Sequence, residues 1–289
     1  MINNFFNISD LSSQDLLYLL SNKFEKSNVL KGKNIGMIFE KYSTRTRLSF
    51  KVAIHDLGGN PIDIRFDELN ISREESFEDT FRAMNCYLDG IVYRTSKHDN
   101  LLNASKFFQK PIINALSEKS HPCQIISDLY TLKENFGDLN INIIWVGDMN
   151  NVCFSLVEAV NLIKTINLLI YTPKYISNKI NWKFNENIKV FDSIRDIDLS
   201  SYNCVMTDVF HSMNDNNDIQ KMKDLQSYMV DKKITSKLSD NYVFMHCLPA
   251  KVDQEVSKEI FFSEHSIVWK QAYNRLIMQK KLLNFIDWN

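Results

Sequence analysis

Residues 34–64 read NIGMIFEKYSTRTRLSFKVAIHDLGGNPIDI and contain one complete unit of an alternating fold. The apolar run at 34–39 predicts a buried strand, and the polar segment 40–46 predicts a loop. Apolar positions spaced along 47–57 predict a helix, which a pair of glycines ends. Residues 60–64 predict the next strand. A strand, loop, helix and strand in this order are typical of a parallel sheet.

The same alternation continues along the chain. The apolar pattern predicts further strands at 90–93, 111–114, 142–146, 168–171, 205–208 and 242–246. It predicts further helices at 9–20, 74–88, 101–108, 124–136, 152–166 and 274–286. Polar residues near 133–140 end the first series of alternating strands and helices, and a second series follows. A chain of 289 residues also suits two domains better than one. The sequence therefore predicts an α/β fold with two parallel sheets.

Composition excludes several classes of protein. With 34 Lys and Arg against 35 Asp and Glu, the chain lacks the basic excess of a nucleic-acid binder. No apolar run approaches the ~20 residues that span a bilayer, and the N-terminus has neither a secretory nor a transit pattern. The cysteines are odd in number, widely spaced and form no CxxC pair: Cys86, Cys123, Cys153, Cys204 and Cys247. This spacing disfavours a disulfide framework or a structural zinc site, and a reducing cytoplasm is expected.

Two polar clusters precede predicted helices in the first half. Ser43-Thr44-Arg45-Thr46-Arg47 combines hydroxyls, a guanidinium and a helix N-terminus, which suit a phosphate group. A helix cap with solvated arginines explains the same residues. His121-Pro-Cys-Gln124 offers an imidazole and an amide to a carbonyl or amide ligand. A capped helix with a surface histidine is the structural alternative.

Three more clusters follow strands of the second half. In Gly147-Asp-Met-Asn-Asn151 no GxGxxG is present, and Asn151 either binds a carboxylate or caps the helix. Asp208 suits an ammonium group, and Ser212 suits a helix cap. Cys247 beside His246 raises a nucleophile or zinc hypothesis, but neighbours on a strand point to opposite faces, which disfavours both. All five clusters follow predicted strands, where open parallel sheets bind ligands.

In chain order these motifs are STRTR, HPxQ, GDxNN, DxxxSM, HCLP and NR in the last helix. This order resembles the ornithine branch of the aspartate/ornithine carbamoyltransferase family over nearly the whole chain. STRTR and HPxQ are shared across that family, whereas DxxxSM and HCLP point to the ornithine branch. The resemblance implies two doubly wound parallel-sheet domains, with the C-terminal helix returning to the first. It implies a carbamoyl-phosphate-binding domain at 1–133 plus 268–289 and an ornithine-binding domain at 134–267.

The resemblance also implies which residues bind the two substrates. The residues implied for carbamoyl phosphate are Ser43, Thr44, Arg45, Thr46, Arg94, His121, Gln124, Cys247, Leu248 and Arg275. The residues implied for ornithine are Asn151, Asp208, Ser212 and Met213. Of these, the resemblance gives catalytic roles to Arg94, His121, Asp208 and Cys247. The family further implies carbamoyl transfer to ornithine in arginine biosynthesis, a cytoplasmic homotrimer, and no cofactor or metal ion.

Two positions depart from the family pattern. The family usually has Gly after Ser-Met, and this chain has Asn214, which tolerates a left-handed backbone. In the family the loop near Asn70 reaches a neighbouring subunit's site with Gln or His, and here the shorter Asn70 makes that role a weak candidate.

Other functions are weighed against this resemblance. A sister transferase would carbamoylate putrescine or an acylated ornithine, but Asp208 suits the α-ammonium group that putrescine lacks. HCLP disfavours a dicarboxylate such as aspartate. A non-catalytic relative is disfavoured by the intact set of motifs, and a dehydrogenase by the missing glycine fingerprint.

Overall fold

The computed structural model describes residues 2–21, 27–210 and 219–288. The chain divides into two compact units. Unit 1 comprises residues 1–130 with 274–289, and unit 2 comprises residues 131–273. Within the described ranges, no helix has the length and apolar character needed to cross a membrane.

Unit 1 is built on a four-stranded parallel sheet. Its strands are β1 (Asn34–Phe39), β2 (Asn60–Arg65), β3 (Gly90–Arg94) and β4 (Ile112–Leu116). The helices of this part of the chain are α1 (Ser13–Leu19), α2 (Arg45–Asp56), α3 (Phe77–Tyr87), α4 (His98–Phe107) and α5 (Pro122–Phe136). The strand order is β2-β1-β3-β4, so the direction of winding reverses between β1 and β3. Loops that leave such a reversal at the carboxyl ends of strands form the usual ligand crevice.

Both ends of the chain join this unit. The backbone N–H of Phe5 donates to Ile112 O over 2.9 Å, and Asn114 N–H donates to Phe5 O over 2.8 Å. Ile2 forms an isolated parallel bridge with Ile286. On the central strand β3, a Cβ added to Gly90 would lie 2.4 Å from the ring of Trp288. Glycine at position 90 therefore allows the C-terminal tryptophan to pack directly on β3.

Unit 2 is built on a five-stranded parallel sheet. Its strands are β5 (Ile141–Val146), β6 (Ile166–Tyr171), β7 (Ile188–Phe191), β8 (Cys204–Thr207) and β9 (Val243–His246). The remaining helices are α6 (Asn151–Leu162), α7 (Lys174–Ser177), α8 (Ile219–Leu225), α9 (Lys232–Thr235), α10 (Lys258–Phe261) and α11 (Val268–Phe285). The order is β7-β6-β5-β8-β9, so the reversal here lies between β5 and β8.

The structure confirms the predicted α/β class with two parallel sheets. It differs from the sequence prediction at several element ends. The first α-helix begins at Ser13 rather than near Ser9, because Ser12 and Asp15 form a capping box. The four-residue strand β7 was not predicted, and α11 begins six residues before the predicted helix at 274–286.

Candidate active site

The loop between β1 and α2 places the STRTR residues at a helix N-terminus. Thr44 occupies the N-cap position, but its side chain makes no capping hydrogen bond, so the cap interpretation is wrong for this residue. Thr46 is 1 % exposed. Among the described residues, no protein atom accepts a hydrogen bond from the buried Nε of Arg45. Arg47, by contrast, is exposed and bonded to Asp63 over 2.9 Å, so the solvated-arginine interpretation holds for Arg47.

Two buried arginines, Arg94 and Arg275, meet this loop within unit 1. Arg94 ends β3, and its Nη1 donates to Ser43 Oγ over 3.4 Å. Arg275 on α11 donates from Nη2 to Thr46 Oγ1 over 2.5 Å. Because the Thr46 oxygen accepts this bond, its own O–H can donate to a ligand. The structure thus brings both predicted arginines to the hydroxyls of the STRTR loop, which creates a site for an anion.

His121 follows β4 and is 4 % exposed, so it is not the surface histidine of the structural alternative. Burial lowers the pKa of His121 well below its ordinary value, and the charges of Arg275 and Arg94 lower it further. The imidazole is therefore neutral at pH 7 and can donate a hydrogen bond to a carbonyl oxygen.

Gln124 lies in the first turn of α5 and is also buried. Its Nε2 donates to Asp128 Oδ1 over 2.8 Å, and its Oε1 accepts no hydrogen bond from a described residue. The preceding Cys123 is buried, and burial raises the pKa of its thiol to about 12. Cys123 is therefore a packed thiol, while Gln124 offers an acceptor oxygen.

In unit 2, Asn150 and Asp208 join the loops that follow β5 and β8. The side-chain oxygen of Asn150 caps α6 by accepting from Val152 N over 3.0 Å and from Cys153 N over 3.1 Å. Its Nδ2 donates to Asp208 Oδ2 over 2.7 Å. Asn151 is the first residue of α6, so the interpretation of Asn151 as the cap is wrong. Asn150 is the cap and also fixes one oxygen of Asp208.

The other oxygen of Asp208 faces the HCLP turn. Cys247 Sγ donates to Asp208 Oδ1 over 2.9 Å. The carboxylate is 8 % exposed, and an anion in that setting favours a cationic ligand. The structure therefore brings Asp208 and Cys247 together, as the ornithine-branch resemblance implies.

The argument that His246 and Cys247 must face apart is wrong. Cys247 lies beyond the last residue of β9, where strand alternation no longer applies. Potential ligand atoms of Asp208, His246 and Cys247 lie within 4.8 Å of one another. However, His246 Nδ1 already accepts the backbone N–H of Leu248 over 2.9 Å, so that lone pair is in use. This arrangement gives no support for a metal centre at the three side chains.

The remaining candidates differ in what the structure shows. Ser212, Met213 and the unusual Asn214 lie outside the described residues. Asn70 begins a short 3-10 helix (Asn70–Arg73), and its carbonyl accepts from Glu75 N over 3.2 Å. Cys247 and Leu248, which the resemblance assigns to carbamoyl phosphate, belong to unit 2.

Comparison with known families matches both units. The carbamoyl-phosphate-binding domain of the aspartate/ornithine carbamoyltransferases matches residues 3–134, and their aspartate/ornithine-binding domain matches residues 139–286. The chain belongs to the aspartate/ornithine carbamoyltransferase family.

Curated relatives from this family cover nearly the whole chain. An ornithine carbamoyltransferase of Methanocorpusculum labreanum is 38 % identical over 98 % of this chain and 97 % of its own length. One from Methanosphaera stadtmanae is 40 % identical over 89 % of this chain and 88 % of its own length. The crystal structure of the anabolic ornithine carbamoyltransferase of Campylobacter jejuni has a TM-score of 0.87 and 31 % identity, and 98 % of each chain is covered.

Two polar residues of this candidate site were missed from the sequence. Asp128 follows Gln124 by four residues on α5, a spacing that brings side chains together on a helix. Asn150 stands beside another asparagine, and its position directly before the predicted helix was the available signal.

Proposed function

We propose that this chain transfers the carbamoyl group of carbamoyl phosphate to the δ-amine of L-ornithine, giving L-citrulline and phosphate. The observation that carries the proposal is the carboxylate of Asp208, which Asn150 and Cys247 hold at the ends of β8 and β9. A fixed anion there suits an amine substrate, and the named relatives of the chain are ornithine carbamoyltransferases.

In unit 1 the phosphate group of carbamoyl phosphate binds at the N-terminus of α2. Ser43, Thr44, Arg45 and Thr46 supply hydroxyl, backbone and guanidinium donors there. Support comes from the Nε of Arg45, which is buried and makes no hydrogen bond to a described residue. Arg94 adds a second positive charge beside Ser43.

The carbamoyl group binds next to the phosphate. Neutral His121, Arg94, Arg275 and the O–H of Thr46 donate to its carbonyl oxygen, while Gln124 Oε1 accepts from its amide N–H. The first four groups stabilise the negative charge that grows on that oxygen as the amine attacks. Gln124 instead recognises the NH₂ group that distinguishes a carbamoyl from an acetyl group.

In unit 2 ornithine binds between Asn151 and Asp208, with Ser212 and Met213 retained as contacts by resemblance. A free δ-amine has a pKa near ~10.4, so it must lose a proton before it attacks. Its nitrogen then forms a bond to the carbamoyl carbon, and the carbon–oxygen bond to phosphate breaks with both electrons going to phosphate. The departing phosphate takes up a proton. Cys247 and Asp208 orient the amine, while Leu248 is retained as a carbamoyl-phosphate contact by resemblance. Alignment of two reactants can contribute roughly 7–11 kcal/mol.

Several wider features belong to the same proposal. We assign carbamoyl phosphate to the domain at 1–133 with 268–289 and ornithine to the domain at 134–267. The enzyme works in the cytoplasm in arginine biosynthesis, which the anabolic label of the Campylobacter relative supports. It assembles as a homotrimer. Tyr42, Leu48 and Val52 have exposed apolar side chains, which is support for a subunit interface that buries them.

The test is product formation from carbamoyl phosphate with ornithine, putrescine, N-acetylornithine and aspartate offered separately. We expect citrulline from ornithine and little product from the other three amines. Arg45→Ala should raise the KM for carbamoyl phosphate by about 10- to 100-fold, the value of one lost charge-assisted hydrogen bond. Arg47→Ala is the matched control, because Arg47 is exposed and bonded to Asp63. Preference for another amine would overturn the ornithine assignment, and no turnover with any amine would favour a non-catalytic relative.

A further inference from the structure

Behind the HCLP turn lies a buried histidine whose two ring nitrogens have different partners. His246 Nδ1 accepts the backbone N–H of Leu248 over 2.9 Å. His246 Nε2 faces Glu255 Oε1 over 3.2 Å, and both side chains are 0 % exposed. Since Nδ1 accepts a hydrogen bond, the ring proton of the neutral imidazole must lie on Nε2, the nitrogen beside the carboxylate. A carboxylate at this distance favours the tautomer with the proton on Nε2, in which Nδ1 can accept.

Two further hydrogen bonds fix the groups that surround the imidazole. Glu255 Oε1 also accepts from Lys251 N over 2.5 Å. The backbone N–H of His246 donates to the buried Oε1 of Gln271 over 3.0 Å. With the carboxylate and the backbone both fixed, the ring presents Nδ1 to the turn in one orientation.

The turn that receives this support has an unfavourable backbone. Leu248 has φ 58°, in the left-handed region that residues with a Cβ rarely adopt. Its neighbour Cys247 directs its thiol to Asp208 Oδ1. The hydrogen bond to Leu248 N–H therefore also fixes the neighbouring Cys247. The thiol of Cys247 in turn bonds to Asp208, the carboxylate proposed to bind the amine.

We propose that His246 is a positioning residue for carbamoyl transfer, acting through the backbone of Leu248 to hold the Cys247–Leu248 turn against Asp208, with Glu255 setting its tautomer. This inference rests on the proposed function, because the turn matters for turnover only if Cys247 and Asp208 orient the amine. His246 itself contacts neither substrate in this proposal.

Two amide substitutions separate the roles of the ring nitrogens. In His246→Asn the side-chain oxygen takes the place of Nδ1, so the acceptor for Leu248 N–H is kept. In His246→Gln the amide takes the place of Nε2, so the contact with Glu255 is kept and the acceptor for Leu248 is lost. We expect His246→Asn to retain kcat within about 5-fold, the effect of one weak hydrogen bond. We expect His246→Gln to lower kcat about 100-fold, as a misplacement near 1 Å can do.

A loss of kcat with unchanged phosphate inhibition distinguishes a positioning role from a general loss of structure. Inhibition by inorganic phosphate, competitive with carbamoyl phosphate, should be unchanged in both variants, because the phosphate donors belong to unit 1. His265→Asn and His265→Gln are matched controls in unit 2, where His265 Nδ1 bonds to Tyr242 O over 2.9 Å. Equal losses of kcat in His246→Asn and His246→Gln, or full activity in His246→Gln, would overturn the proposal.

A second measurement reads the tautomer of His246 in the unaltered enzyme, and a variant serves only to assign the signals. Protein labelled with ¹⁵N in its six histidines is examined by NMR at pH 7, and the signals missing from His246→Asn identify His246. We expect a neutral ring with its proton on Nε2. A proton on Nδ1, on either a neutral or a charged ring, would contradict the inferred relay. If the unaltered enzyme shows this tautomer but carbamoylates no ornithine, the proposed function fails, and the role of His246 in transfer fails with it.

Discussion

Gln124 donates its amide Nε2 to Asp128 Oδ1 over 2.8 Å, and this bond determines which end of the amide is left for a ligand. Both side chains are buried. A carboxylate only accepts hydrogen bonds, so a flipped amide would place oxygen against oxygen. Asp128 therefore keeps Gln124 Oε1 pointing away from itself, where this oxygen can accept a hydrogen bond. An acceptor matches the N–H donors of a carbamoyl group.

Asp128→Asn should weaken this selection. An asparagine at position 128 can donate, so the amide of Gln124 can turn over and present N–H instead of oxygen. We expect the KM for carbamoyl phosphate to rise about 10-fold, equivalent to ~1.4 kcal/mol of one lost hydrogen bond. Steady-state kinetics measure this, with Asp138→Asn as the same exchange at an exposed position. An unchanged KM would show that Asp128 does not orient Gln124.

Asp208→Asn should act on the other substrate. The amide can still accept from Cys247, but the negative charge that attracts an amine is gone. We expect kcat/KM for ornithine to fall by about 10- to 100-fold, the range for a hydrogen bond to a charged group, with the KM for carbamoyl phosphate little changed. Asp196→Asn, an exposed exchange in unit 2, is the control. A selective loss of carbamoyl-phosphate affinity instead would contradict the assignment of Asp208 to the amine.

His121 makes stability depend on pH in a defined direction. Burial and the charges of Arg275 and Arg94 lower its pKa in the folded chain below the ordinary ~6.5. Between these two pKa values the unfolded chain binds a proton that the folded chain does not, so stability falls as pH drops below about 6.5. One such histidine contributes a slope of up to ~1.4 kcal/mol per pH unit.

Urea unfolding between pH 7 and pH 5 measures this slope. We expect a shallower loss of stability in His121→Gln than in the unaltered protein. Part of the loss should remain, because burial also lowers the pKa of His98. His55→Gln, at an exposed position, is the control. Identical slopes in all three proteins would refute a buried neutral His121.

Gly90→Ala should destabilise unit 1. The added methyl group would lie 2.4 Å from Trp288 Cζ3 and 3.1 Å from the backbone oxygen of Pro111. Overpacking of this kind costs about 1–3 kcal/mol, which urea unfolding can resolve. Trp288→Phe removes the ring atoms in contact, so we expect Gly90→Ala to cost less in that background. Equal costs in both backgrounds would mean that Trp288 does not press on Gly90.

Much of the fold could be predicted from apolar runs, and the exceptions have physical reasons. Strand β1 was predicted at its observed bounds, because a continuous apolar run suits a strand buried on both faces. Strand β7 was missed because it is a four-residue edge strand with a half-exposed pattern. The helix predicted at 9–20 was begun too early, because its N-cap is Ser12, whose side chain accepts from Asp15 N.

The site was predicted less completely than the fold. Motifs at strand ends singled out His121, Gln124, Asp208 and Cys247 as candidates, because a parallel sheet gathers those ends, and the family resemblance added Arg94. The residues that support these candidates act on a substrate only through another side chain. Glu255 follows His246 by nine positions in no regular element, so its contact with the ring depends on the folded turn. No spacing rule connects two such residues.

The bridge between Ile2 and Ile286 has a consequence for synthesis on the ribosome. Domains ordinarily fold in the order in which they emerge, N-terminal first. Here unit 1 contains residues from both ends of the chain, whereas unit 2 is one continuous stretch. Unit 2 can therefore complete its sheet on a nascent chain while unit 1 still waits for its closing helix. The part of the polypeptide that is made first is the part that finishes last.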